Sequence, residues 1–220
     1  MKQVHVIQML MAVVIVLALG SCSSDVLSEV ENQNGKQTVK MEFVGKVIGF
    51  DQQGSSKAKV QARATSSSWK DGDKIYITFY NGSTLIPGEA TYSSASGWSV
   101  SYDGNLATGS NLKCEARYFV NATFSSSSLV SLNSNSEIYE DMNATYAYSN
   151  GSLTVTATLS PKTGRIRFTG KSGEKIYTTG ISVYTTFSPA INKFSTSNAM
   201  ITSTVASNGS TPYIYGYFTD

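Results

Sequence analysis

Histidine is almost absent from this chain: one in 220 residues, at position 5. Cysteine occurs twice, at Cys22 and Cys114, and proline four times. Charge is scarce too, since 17 basic and 15 acidic residues make up 15% of the chain and leave +2. Each shortage excludes a class of function. Without Lys/Arg clusters there is no phosphate-neutralising surface, so no nucleic-acid partner is expected. No Gly-rich phosphate loop occurs, and Asp71-Gly72-Asp73 lacks the remaining ligands of a calcium loop, so it reads as a turn before a strand. Disorder is excluded as well, because Tyr, Phe, Val and Ile recur along most of the length.

What the chain has in abundance is hydroxyls and aromatics. The 34 Ser and 22 Thr make about a quarter of it, beside 13 Tyr and 9 Phe. Much Thr and Tyr with little charge suits short, half-buried strands, hence an all-β fold.

The N-terminus reads as an address. Met1-Lys2 is followed by an apolar run of 11 residues from Met9 to Leu19, too short to span a bilayer but long enough for a signal core. The run ends in Leu19-Gly20-Ser21-Cys22, which resembles the lipobox of bacterial lipoproteins. That resemblance implies a signal peptide at 1–21, lipidation of Cys22 and cleavage before it, with a membrane anchored through acyl chains. Each buried methylene adds about 0.8 kcal/mol, so several chains hold firmly. Residues 22–37 then form a polar, Pro-free tether.

Processing would remove His5 and leave 199 residues without histidine. Catalytic triads, Cys-His dyads and His-ligated metals are then excluded. Cys114 alternates with Leu112, Ala116, Tyr118 and Val120 on one face and reads as a small core residue. The acids are scattered, so no catalytic pair stands out. The expectation is a non-enzyme with no catalytic residue, no metal and no cofactor.

Alternation of period two recurs from residue 38 onward. It covers Val39/Met41/Phe43, Ile75/Ile77/Phe79, Trp98/Val100/Tyr102 and Leu153/Val155/Ala157/Leu159. Asn150-Gly151 and Asn208-Gly209 carry the signature of tight hairpin turns. A boundary near Pro161–Gly164 divides the chain into an N-terminal β-sandwich at 38–160 and a second, short or incomplete β unit at 161–220.

The sequence at this point resembles the fimbrillin-like surface proteins of Bacteroidetes. The likeness runs from the lipobox through Gln61-Ala-Arg-Ala-Thr65 and Trp69-Lys-Asp-Gly-Asp-Lys-Ile-Tyr-Ile77 to Ala90-Thr-Tyr92 with Gly97-Trp98. It continues with Glu115-Ala-Arg-Tyr-Phe119 and Leu159-Ser-Pro-Lys-Thr-Gly-Arg-Ile-Arg-Phe168. The resemblance implies transthyretin-like β-sandwich domains, an outer-membrane, cell-surface location, and a role as pilus subunit, pilus anchor or adhesin. It also implies proteolytic processing at Arg63, which exposes a groove for a strand of another fimbrial subunit. An ordinary loop or strand arginine is the plainer reading of Arg63.

Two further readings stand beside this one. Tyr213, Tyr215 and Tyr217 would share one face of the last strand, a partner surface or a platform for glycans; packed rings with wet hydroxyls are the plainer account. Alternatively, the chain is the truncated N-terminal module of a larger lipoprotein.

Overall fold

The computed structural model describes residues 35–50, 69–124 and 129–216. They are built almost entirely of strands: β1 (Lys36–Val47), β2 (Lys74–Asn81), β3 (Thr84–Ser93), β4 (Gly97–Asp103), β5 (Gly109–Val120), β6 (Thr123–Phe124) and β7 (Val130–Ser131). After these come β8 (Glu137–Asp141), β9 (Thr145–Ser149), β10 (Ser152–Pro161), β11 (Gly164–Ile166), β12 (Lys175–Ser188), β13 (Lys193–Thr204) and β14 (Ile214–Gly216). A 3-10 turn at Pro189–Ile191 links β12 to β13. The all-β class expected from composition is the class observed.

Eight strands form one sheet in the order β1-β4-β3-β2-β5-β8-β10-β9, and further pairing of β1 with β10 closes it. β1 runs antiparallel to β4 and parallel to β10. Strands β8 and β9 share one position between β5 and β10, since β5 pairs β8 through Ala116–Val120 and β9 through Gly109–Lys113. The break between them is patched locally. The Cys114 N–H donates to the Ala144 carbonyl, and Asp141 accepts the N–H groups of Thr158 and Asn143. Closure leaves the ring without a free edge, which removes a route to unwanted pairing.

The alternating residues fill this closed sheet. Ile75, Ile77, Phe79, Val100, Tyr102, Cys114, Ala116, Leu153, Val155 and Leu159 are buried in one core with Trp69 and Trp98. Burying each large side chain contributes about 1.5–3 kcal/mol. Gly45 is needed where the parallel pair meets, because a Cβ there would lie 2.3 Å from the Ala157 carbonyl oxygen. At Asn150-Gly151 both residues have positive φ, 50° and 74°, and the expected hairpin joins β9 to β10.

The turn at Asn208-Gly209 differs from expectation. Gly209 has φ 78°, but Asn208 lies outside the positive-φ region, and the following strand leaves β13 to pair β14 with β11. The cause is local. The Asn208 side chain takes the Ser210 N–H at 3.0 Å, and Pro212 has no N–H with which to extend a ladder.

A four-stranded sheet, β13-β12-β7-β6, covers part of the outside of the closed sheet. It draws β6 and β7 from before residue 160 and β12 and β13 from after it. Between the layers, Tyr76, Phe119, Val130, Leu132, Ile138 and Phe187 form a second core. Strands such as β2 and β5 are therefore buried on both faces. A third cluster, Ile181, Val183 and Ile214, lies where β12 meets β14.

Candidate functional site

Cys22, Arg63 and Tyr217 lie outside the described residues. The other two candidate residues are near one another but not coplanar. The rings of Tyr213 and Tyr215 lie 6.3 Å apart, tilted by 48°. Tyr215 is buried and its hydroxyl donates to Glu137 at 3.0 Å. Burial, followed by the hydrogen bond to Glu137 and then its charge, pushes its pKa up to about 12. Tyr213 is half-buried, with the Arg165 and Arg167 guanidinium carbons 4.3 and 5.0 Å from its ring centre. Cations, rather than open solvent, thus lie over the Tyr213 ring.

The outward face of β5 holds residues that the alternation pattern did not single out. Cys114, Ala116 and Tyr118 point into the closed sheet, so Glu115 and Arg117 point out of it. Both are nonetheless buried, because the β12–β13 hairpin lies over them. Arg117, 3% exposed, donates to Glu115 at 2.9 Å and to Asn192 Oδ1 at 2.5 Å. Asn192 in turn donates to Glu115 at 2.7 Å, and the Tyr80 hydroxyl donates to the other Glu115 oxygen at 2.5 Å. Glu140 lies 3.6 Å from Arg117 Nε and accepts from Lys162 at 2.6 Å. The Arg117 guanidinium also lies against Phe187 and Phe194 of the hairpin. Burial alone would raise the Glu115 pKa. Hydrogen bonds from Tyr80, Asn192 and Arg117 outweigh it and hold the carboxyl below its ordinary range. The network ties one layer to the other, with Arg117 Nε and Glu140 Oε2 left without a hydrogen-bond partner, and it positions rather than reacts.

A cleft of about 370 Å³ opens beside this seam. Its floor is the outer face of β1–β4 and its far wall is Pro189 and Ala190 of the 3-10 turn. Cross-strand register sets the floor: Tyr76 is opposite Glu89, Glu89 opposite Ser101, and Asp103 opposite Lys36. Lys74 donates to Glu89 at 2.5 Å, and Phe124 stacks on Tyr76 with ring centres 6.1 Å apart. Burial, then the nearby Glu89 charge and its hydrogen bond, raises the Tyr76 pKa far above that of a free phenol. The volume falls within the range of small-molecule sites.

The third feature is an edge. Strand β13 is terminal in its sheet, with β12 on one side and no partner strand among the described residues on the other. It runs for 12 residues, mostly exposed, with Met200 70% exposed. Lys193 is its only charge, and it contains no proline.

The thiol among the described residues is sealed in the core. Cys114 is fully buried, and burial, then Asp141 and Glu115, pushes its pKa up to about 12. Comparison of the chain with protein-family models, with curated proteins and with solved structures finds no match.

Proposed function

We propose that this protein is a lipid-anchored, cell-surface structural or adhesive protein of fimbrillin type. Its chemistry is binding and assembly, not catalysis. The observation that carries the reading is the free edge of β13. Exposed edge strands ordinarily carry lysines, prolines or bulges that repel another strand. Over Phe194–Thr204 this edge has neither charge nor proline, and it is long enough for an added strand to gain many backbone hydrogen bonds. An added strand would come from another fimbrial subunit. The lipobox-like end at Cys22 supports surface anchoring, and Arg63 is the residue at which processing would expose a groove for a partner strand.

The test combines anchoring with assembly. Cys22→Ala should move the protein from the membrane fraction to the soluble fraction. Purified protein, intact or trypsin-treated, should form SDS-resistant multimers. The pair Ser197→Lys and Met200→Lys should abolish them through repulsion at the edge. Absence of multimers under every condition, or multimers indifferent to the β13 lysines, refutes strand addition there.

A further inference from the structure

The cleft between the closed sheet and the 3-10 turn brings together an unusual set of groups for an exterior sheet face. Glu89 is held by Lys74 at 2.5 Å and sits opposite Tyr76 across β2 and β3, so its carboxylate is oriented before any ligand arrives. Lys36 and Asp103, of opposite charge, are cross-strand neighbours on β1 and β4 and also line the cleft. The site thus has two cations and two carboxylates, with no net attraction for an ion of either sign. Phe124, 37% exposed, adds an apolar surface next to them.

A ligand for such a site must both donate and accept hydrogen bonds over a short span and also present a flat apolar patch. Lysine ammonium groups only donate and carboxylates only accept, so paired Lys and Glu satisfy adjacent hydroxyls of opposite role. Vicinal hydroxyls of a pyranose have that pattern, and the ring's C–H face supplies the apolar patch for an aromatic side chain. A phosphate or sulfate would meet Glu89 and Asp103 head-on. A purely apolar ligand would strand four charges.

We propose that this cleft binds a neutral saccharide unit, with Glu89 and Lys74 on adjacent ring hydroxyls and Phe124 against the C–H face. The site differs from the Tyr213–Tyr215 surface and from the β13 edge. It therefore stands or falls apart from strand addition, and the β13 lysine variants keep it intact.

Saturation-transfer NMR on the detergent-solubilised full chain tests this with glucose, galactose, mannose, N-acetylglucosamine and their β-linked disaccharides, alongside the anions glucuronate and glucose 6-phosphate. Immobilised glycans ending in the same sugars separate a free saccharide from a glycan terminus as the source. The expected result is transfer from at least one neutral sugar and none from glucuronate or glucose 6-phosphate. Glu89→Gln and Phe124→Ala should each weaken binding about tenfold, the loss that follows from one charged hydrogen bond or one aromatic contact. No transfer from any neutral sugar overturns the proposal, and so does stronger binding of the anions. A second measurement needs no variant. In a sugar titration, amide shift changes must centre on Glu89, Ser101 and Phe124; changes centred elsewhere overturn the assignment.

Discussion

Arg117 and Asn192, 75 residues apart in sequence, meet at 2.5 Å across the seam between the closed sheet and the β12–β13 hairpin. Asn192 can do this because it takes the left-handed conformation, φ 54° and ψ 43°, at the end of the 3-10 turn. Asparagine tolerates that region better than most residues. Its amide then accepts from Arg117 and donates to Glu115, so one turn residue closes the circuit between two buried charges.

This circuit should be fragile to removal of one member and tolerant of removal of both. Arg117→Met leaves the Glu115 carboxylate buried without its cation and should cost about 3–5 kcal/mol. Asn192→Ala should cost about 1–3 kcal/mol, since it strands a donor and an acceptor. The double variant Glu115→Leu with Arg117→Met should recover much of the single loss, because apolar replacements of a buried pair are often neutral. Urea denaturation of the four proteins reads this directly. A double variant less stable than Arg117→Met would refute the account.

The same carboxylate sets a pH dependence. Glu115 has a folded pKa below its ordinary value of 4.5. A depressed pKa means the folded state prefers the ionised form, so its stabilisation is fully present above that value and is lost as pH falls through the folded pKa. Wild type should therefore exceed Glu115→Gln in stability near neutral pH, and the difference should shrink as the pH falls below 4.5 and through the folded pKa. Denaturation midpoints of both proteins across the acid range check it. A difference that persists undiminished into strong acid refutes it.

Much of the fold was legible because one face of most strands is apolar. Leu153, Val155, Ala157 and Leu159 alternate with threonines, and the structure buries those four while the threonines stay largely outside. The parallel pairing of β1 with β10 that closes the sheet was not legible, since period-two alternation reports which face is buried and not which strand lies alongside. The cleft and the ion network were illegible for a related reason. Glu115 and Arg117 look like ordinary outward-facing polar residues until a second layer covers them, and Glu89 and Lys74, which stay partly exposed, until the 3-10 turn walls the cleft. At Asn208-Gly209 the turn itself forms, but partner choice depended on Pro212 and on β11, more than 40 residues earlier.

The parallel closure makes a specific demand at Gly45. A methyl group there would sit 2.3 Å from the Ala157 carbonyl and 2.9 Å from the Phe43 ring. Backbone cannot yield as a flexible side chain can, so Gly45→Ala must push β1 from β10 and should cost about 1–3 kcal/mol. Gly151→Ala provides a contrasting variant. Its Cβ meets nothing within 4 Å, so its loss comes only from φ 74°. Hydrogen exchange separates the two. Gly45→Ala should speed exchange along Met41–Val47 and Leu153–Leu159, whereas Gly151→Ala should affect the β9–β10 turn. Unchanged protection of β1 in Gly45→Ala would refute the demand.

Cys114 should behave as a core atom rather than as a thiol. It is fully buried, and its raised pKa leaves almost no thiolate at neutral pH, the form that reacts. In a Cys22→Ala background, a thiol reagent should label the native protein only as fast as it unfolds, and denaturant should make labelling immediate. Cys114→Ala should cost about 1 kcal/mol for the small void left behind. Cys114→Ser should cost more, about 1–3 kcal/mol, because a hydroxyl placed beside Phe79 and Ala144 needs a partner that an apolar interior does not supply. Rapid stoichiometric labelling of the folded protein would show that the interior of the closed sheet is open to solvent near β5. Serine tolerated as well as alanine would show that the site already offers a hydrogen-bond partner, and either result would refute the assignment of Cys114 as a sealed core residue.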